Sequence, residues 1–257
     1  MVSAILLTAL IAWLIGTQHN RAVIRKEKAR RIAELQLGEL EQKALRAQMN
    51  PHFIFNCLYS IQSFILDKDP EKANKYLTQF ASLIRQTLEN SLQSSISLAD
   101  EIKYLATYLQ LEQMRSESTF EYRIETDGNL SPAAISIPVM VLQPFVENAI
   151  RHGVAAVTSR TGLIGIHFST DGQDLVCRVE DNGIGRQKAQ LQKNTRPAAY
   201  QSRGMQLTHE RIELINTNAS RKITVEIKDK FDEQNEANGT DVIIRFPIFT
   251  VEDNTLS

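Results

Sequence analysis

The hydrophobic pattern of the chain changes its period once, between residues 115 and 120, and this change constrains the fold more than any other feature. Upstream of it, apolar residues recur every three or four positions from Ala33 to Ile65, as along the seam of a coiled-coil helix. Downstream, apolar and polar residues alternate, as expected for half-buried strands. The sequence therefore predicts an α+β chain whose helical part ends near residue 116.

The first eighteen residues carry no charged side chain, whereas residues 21–31 hold six Lys or Arg and one Glu. A secretory signal peptide has its basic residues before the apolar run, so this order favours a membrane helix over residues 1–20 with its basic flank in the cytosol. A buried N-terminal helix is the alternative. We expect an anchor in the cytoplasmic (inner) membrane, a coiled-coil linker over residues 21–50, and a cytosolic catalytic part.

Two helices of the first half predict a hairpin. The first continues the heptad pattern through Pro51, either as one kinked helix or as a new helix with Asn50 as its N-cap. The second follows the segment "DKDP" and carries an apolar stripe from Ala73 to Leu88. Two such hairpins from two chains would close a four-helix bundle, so a homodimer is expected, with residues 51–116 as its dimerisation part. A third helix over residues 97–115 begins at Ser97 or Asp100.

Composition excludes several functional classes. The net charge of −1 argues against direct binding of nucleic acid, which requires a basic face. The only two cysteines, Cys57 and Cys177, are far apart in the sequence and provide neither a disulfide framework nor zinc-ligand spacing.

The second half, residues 117–250, predicts a mixed sheet with helices on one face, followed by a tail over residues 251–257. A strand is expected at "TFEYRIET", and a hairpin is expected from "GLIGIHFST" and "DLVCRVED", joined by an Asp-Gly turn at residues 171–172. Helices are expected at residues 139–154, with Pro138 at the start, and at residues 204–217. The last two strands, "KITVEIKD" and "TDVIIRFPI", flank a polar loop over residues 230–239.

Three short motifs in this half could carry chemistry. In "ENAIRHG", most of the polar residues share one helix face, and an Asn oxygen suits Mg²⁺; a solvated face is the alternative. In "EDNGIGR", Asp181 could accept a hydrogen bond from an exocyclic amine, and the glycines allow close approach of a ligand; an ordinary turn is the alternative. Gly204 precedes a helix whose N–H groups could face a phosphate. The alternative is that this glycine only marks the start of the helix and binds nothing.

The order of these motifs resembles the ATP-binding domain of the GHKL (Bergerat) fold, which histidine kinases share with gyrase and MutL-type ATPases. The segment "QMNPHFIFN", about ninety residues before "LQPFVENAIRHG", is similar to the sensor histidine kinases of the LytS/YehU type. The resemblance extends from about Leu45 to Pro247. It implies that the chain phosphorylates one of its own histidines from Mg-ATP and passes the phosphoryl group to a response-regulator aspartate. Relatives often pair with LytTR-type regulators.

The resemblance also implies roles for individual residues. His52 would be the phospho-acceptor, Asn56 would hold its ring or orient a water, and Glu147 is the candidate base. Residues 186–203 would form the lid over the nucleotide. The nucleotide ligands implied are Asn148 (for Mg²⁺), Arg151 and His152 (near the phosphates), Asp181 (for adenine), Gly183, Gly185, Gly204 and Thr240.

Four positions depart from related patterns. Pro144 stands where gyrase-like ATPases carry a catalytic glutamate, which predicts slow ATP hydrolysis. Phe53 stands where common histidine kinases have an acidic residue after the histidine. The phosphate loop reads Ser202-Arg203-Gly204 instead of G-x-G, and Leu207 replaces a frequent asparagine. These departures keep two alternatives open: a weak or inactive ATP-binding dimeric scaffold, and a GHKL-type ATPase.

Overall fold

The computed structural model describes residues 51–115, 120–157, 160–186, 188–189, 203–217 and 219–248. The predicted anchor, linker and tail, and most of the predicted lid, lie outside these ranges. None of the helices within them is long and apolar enough to cross a membrane. The helices are α1 (Pro51–Leu66), α2 (Pro70–Ser91), α3 (Leu98–Arg115), α4 (Gln143–Asn148) and α5 (Arg203–Thr217). The strands are β1 (Ser95–Ser97), β2 (Phe120–Thr126), β3 (Ser136–Pro138), β4 (Gly162–Asp171), β5 (Asp174–Asp181), β6 (Thr224–Phe231) and β7 (Ala237–Pro247).

Helices α1 and α2 form the predicted hairpin. Helix α2 starts at Pro70, and the Asp69 side chain caps it by accepting a hydrogen bond from the Lys72 backbone N–H at 3.0 Å. Inside the hairpin, the Tyr76 hydroxyl donates to the Cys57 sulfur at 3.4 Å. Whether α1 continues a longer upstream helix remains a prediction, because the preceding residues lie outside the described ranges.

Helix α3 lies between the hairpin and the sheet. Its N-cap is Ser97, whose hydroxyl oxygen accepts the Asp100 backbone N–H at 3.1 Å, so Ser97 and not Asp100 starts the helix. The helix contacts α2 and β2, and Leu105 and Leu109 are fully buried. One hydrophobic core includes buried residues of the hairpin, α3 and the sheet.

The main sheet is mixed, as predicted, with strand order β2-β4-β5-β7-β6. The pair β2–β4 is parallel and the other pairs are antiparallel. Alternate residues such as Ile166 and Cys177 are buried, whereas Arg178 is exposed on the opposite face. Because one face is apolar and the other is polar, the described helices are expected on the apolar face. The β4–β5 hairpin is confirmed, with Gly172 in its turn at φ 63°.

Two predicted element boundaries are wrong. The helix expected at 139–154 begins at Gln143, because Pro138 pairs with Ser95 in a short antiparallel ladder and Met140 adopts a positive φ of 61°. It is Pro144, in the first turn, that marks the helix start. The loop expected at 230–239 is also shorter. Asp232 tightens it by accepting the backbone N–H groups of Gln234 and Glu236, so β6 and β7 extend toward each other.

Candidate functional site

Asp181, at the end of β5, is a buried carboxylate with its own set of donors. Its Oδ1 accepts the Gly183 backbone N–H at 2.7 Å, and Thr240 donates from both its backbone and its side chain. Burial raises the pKa of Asp181 to about 6, while these hydrogen bonds and the nearby Lys230 charge act in the opposite direction. The structure thus brings Asp181, Gly183 and Thr240 together.

Glycines allow three backbone segments to meet around this carboxylate. A Cβ on Gly183 would lie 2.2 Å from the Gly153 Cα, and a Cβ on Gly153 would lie 2.7 Å from Asp181 Oδ1. Gly239 has φ 105°, and a Cβ there would lie 2.0 Å from the Asp181 carbonyl oxygen. The positive φ of Gly185, 75°, also favours glycine. Sequence reasoning assigned no role to Gly153 and Gly239, although both stand beside predicted site residues.

Helix α4 does not end as an ordinary α-helix but continues as a π-helical turn over Ala149–Gly153. Such turns are rare and frequently occur at functional sites. The turn buries Ile150 and leaves Arg151 and His152 exposed. Asn148 is half-buried, and its side chain makes no hydrogen bond with another residue in the described part of the chain. Its amide oxygen is thus free of protein partners there.

Glu147 faces the helix layer. Its Oε1 accepts a hydrogen bond from Gln143 Nε2 at 2.9 Å. Burial raises the pKa of this carboxyl, the Gln143 hydrogen bond and the Arg151 charge oppose that rise, and the negative charge of Glu112 adds to it. The proximity of Arg151 agrees with the predicted sharing of one helix face.

The first turn of α1 lies against α3. The backbone of His52 belongs to this turn, but its side chain is outside what the structure describes. The ring of Phe53 lies 5.5 Å from the Tyr108 ring, centroid to centroid. Burial raises the pKa of Tyr108, and the Glu147 charge is the next contribution. Asn56 is half-buried one turn after His52, and its carbonyl accepts the Ser60 hydroxyl at 3.0 Å.

Gly204 lies in the first turn of α5, which starts at Arg203, one residue earlier than predicted. Helix α5 contacts α4, so its N-terminal turn belongs to the same side of the sheet as the Asn148 helix. No group of three or more acidic, His or Cys side chains that could enclose a metal occurs among the described residues. A Mg²⁺ ion held mainly by phosphates and water needs only one or two protein oxygens, and the Asn148 amide fits that requirement.

Two family models match the chain. Residues 40–120 match the histidine kinase family. Residues 135–250 match the family described as histidine kinase-, DNA gyrase B- and HSP90-like ATPases.

Curated relatives agree with these matches. Sensor histidine kinase BtsS of Escherichia coli K12 is 34% identical over 67% of this chain and 29% of its own length. Sensor protein LytS of Bacillus subtilis is 37% identical over 60% of this chain and 26% of its own length. The chain belongs to the sensor histidine kinases of the LytS type, and it spans less than a third of these relatives' lengths.

Among solved structures, the catalytic domain of histidine kinase ThkA matches 60% of this chain and 95% of its own length, with 14% identity. Its TM-score of 0.41 is too low to support a conclusion.

Proposed function

We propose that this chain is an ATP-dependent protein-histidine kinase that transfers the γ-phosphoryl group of Mg-ATP to His52 and then to a response-regulator aspartate. One observation carries the proposal beyond family membership. Phe53, the neighbour of His52, packs on Tyr108, and Tyr108 lies within electrostatic reach of Glu147 and Arg151. The acceptor helix and the candidate nucleotide helix thus approach each other within one chain.

The base of ATP would bind at Asp181. A buried carboxylate at a strand end can accept a hydrogen bond from the exocyclic amine of adenine. Thr240 donates hydrogen bonds to that carboxylate. Gly153, Gly183 and Gly239 pack closely around Asp181, and a Cβ on any of them would clash with a neighbouring segment. Gly185 would let the nucleotide approach the chain beside this carboxylate.

The phosphates would lie toward α4 and α5. The Asn148 amide oxygen would hold Mg²⁺, which neutralises charge on the phosphate oxygens when bound. Arg151 and His152, exposed on the π-turn, and the N-terminal turn of α5 at Gly204 would contact the phosphates.

In the chemical step, a neutral His52 imidazole nitrogen would attack the γ-phosphorus. The new N–P bond forms as the bond from phosphorus to the bridging oxygen breaks, and ADP leaves with that electron pair. The ring then carries an excess proton, which Glu147 would accept, while Asn56 would orient the ring. Because Pro144 offers no carboxylate to activate water, hydrolysis should be the minor reaction.

The test is incubation of the chain with Mg²⁺ and γ-labelled ATP. We expect an acid-labile, base-stable label on the unaltered chain, none with His52→Gln, and little with Asn148→Ala. His167→Gln is the matched control, because His167 lies on β4, paired with Asp127 at 3.1 Å, and should keep the label. Persistence of the label in His52→Gln would refute the proposal. Nucleotide binding without any label would favour the inactive scaffold, and rapid phosphate release without phosphoprotein would favour the ATPase.

The remaining expectations concern partners. A homodimer is supported by large apolar side chains exposed on the hairpin, including Phe55, Tyr59 and Ile65. A response regulator, of LytTR type in many relatives, follows from the proposed reaction. Anchoring through residues 1–20 remains a prediction, as does the division at residue 116. Sedimentation of the chain should show a dimer, and Tyr59→Glu should shift it toward monomer; a monomer for the unaltered chain would contradict the bundle.

A further inference from the structure

A run of polar side chains, buried except for the half-buried Glu147, connects the hairpin to α4. It consists of Thr87 on α2, Tyr104 on α3, and Gln143 and Glu147 on α4. The Tyr104 hydroxyl lies 3.3 Å from Thr87 Oγ1 and donates to Gln143 Oε1 at 2.9 Å, and Gln143 Nε2 donates to Glu147 at 2.9 Å. We propose that Tyr104 and Gln143 are positioning residues, which fix the Glu147 carboxylate for phosphoryl transfer. This inference rests on the function proposed above.

The two ends of the Gln143 amide differ in their hydrogen bonding, because the oxygen accepts and the NH₂ group donates. An ionised Glu147 carboxylate can only accept, so the NH₂ end faces it, and at the other end the Gln143 oxygen accepts the proton of the Tyr104 hydroxyl. The reversed amide would set an oxygen against a carboxylate. Since Tyr104 and Gln143 are both buried, water cannot replace either partner freely.

Thr87 makes the hydrogen bond between Tyr104 and Gln143 depend on the position of helix α2. The Thr87 hydroxyl donates its only proton to the Leu83 carbonyl at 2.8 Å, so toward Tyr104 it can only accept. The Tyr104 proton therefore has two acceptors, and the shorter contact is the one to Gln143. A shift of α2 along α3 that shortens the Tyr104–Thr87 contact would move the Tyr104 proton to Thr87 and break its hydrogen bond to the Gln143 amide.

Other groups surround Glu147 without orienting it. Arg151 and Glu112 act on it through charge, and the Tyr108 phenol lies nearby. Among the residues that the structure describes, Gln143 is the only hydrogen-bond donor to the Glu147 side chain. The position of this carboxylate thus depends on a single amide, whose oxygen is held by the Tyr104 hydroxyl.

The first experiment measures labelling rates for Tyr104→Phe, which removes only the hydroxyl. We expect kcat to fall about tenfold, as for one lost buried hydrogen bond, while KM for ATP changes less than about twofold. Tyr122→Phe on β2 is the matched control and should behave as the unaltered chain. Thr87→Ser keeps a hydroxyl and should also retain the rate. An unchanged kcat in Tyr104→Phe refutes the inference while leaving the proposed kinase intact.

A double substitution separates positioning from general destabilisation. If Tyr104 acts through Glu147, Tyr104→Phe combined with Glu147→Gln should be no slower than Glu147→Gln alone. Multiplied losses would show an independent structural role and overturn the inference.

A second measurement does not depend on turnover. In the ¹⁵N-labelled chain, the Gln143 side-chain amide signals should shift and exchange faster with solvent in Tyr104→Phe but not in Tyr122→Phe. Unchanged signals would refute the inference. If the unaltered chain is not labelled by ATP, the proposed function fails, and this spectrum still decides whether Tyr104 orients Gln143.

Discussion

Asp181 should make the fold less stable at neutral pH, and its removal should reveal this cost. Its pKa rises from 3.8 to about 6 because the carboxyl is buried. A group whose pKa is higher in the folded state stabilises the fold below its unfolded pKa, and that stability is lost as the pH rises through the folded value. A shift of this size corresponds to about 3 kcal/mol, an upper bound for the cost near pH 8.

The substitution Asp181→Asn removes the charge and keeps the shape. An asparagine oxygen can accept the Gly183 N–H, and its NH₂ group can donate to the Thr240 hydroxyl, but the Thr240 backbone N–H loses its acceptor. We expect the free energy of unfolding to increase by about 1–2 kcal/mol near pH 8, less than the bound because charge-assisted hydrogen bonds are lost, and to change little near pH 4. ATP affinity should fall about tenfold, since adenine loses a charged acceptor.

Urea unfolding at the two pH values and fluorescence titration with an ATP analogue measure these effects. Asp171→Asn, at the exposed end of the same hairpin, is the control and should alter neither quantity much. A variant that is less stable than the unaltered chain near pH 8, or equally stabilised at both pH values, would refute the burial argument. Unchanged nucleotide affinity would remove Asp181 from the proposed base-recognition site.

Three further outcomes are expected. Gly183→Ala should cost about 3 kcal/mol or more and abolish nucleotide binding, because its Cβ would meet backbone at 2.2 Å, whereas Gly128→Ala, with nothing within 4 Å, should be neutral in both assays. The Glu101 carboxyl is buried, its Oε1 has no hydrogen-bond partner among the residues that the structure describes, and burial raises its pKa to about 7. Glu101→Met should therefore raise the urea midpoint near pH 8 and not near pH 4, and a lower midpoint near pH 8 would contradict this. Because Phe53 packs on its own chain's α3, mixing His52→Gln and Asn148→Ala chains should not restore labelling, and recovery would show transfer between protomers.

Periodicity predicted most elements because each helix or strand buries one regular face. It failed at residues 139–142, where Pro138 is a signal shared by helix starts and strand ends, and only its pairing with Ser95 decides between them. The π-turn after Asn148 was also missed, because one additional residue in a turn leaves no clear mark on an apolar pattern.

Some residues of the candidate site were predicted from the sequence and others were missed, for a similar reason. Motifs located Asp181 and Gly183, but the need for glycine at 153 arises from a contact between segments about thirty residues apart, which no local pattern encodes. The polar run through Tyr104 had a visible signal. Glu101, Tyr104 and Glu112 fall on the apolar stripe of α3, and charged residues at core-facing positions indicate buried polar contacts.

Helix α3 therefore links the hairpin to α4 in addition to separating the hairpin from the sheet. Tyr104 and Tyr108 are one helical turn apart, so their side chains lie on the same face. Through them this turn contacts the hairpin at Thr87 and Phe53, and it reaches α4 through the hydrogen bond to Gln143. Since the hairpin and the sheet also share one core, a displacement of the hairpin must either carry this turn with it or break the Tyr104 contacts. Either outcome alters how Glu147 is held, so the turn is a physical route from the acceptor helix to the proposed base.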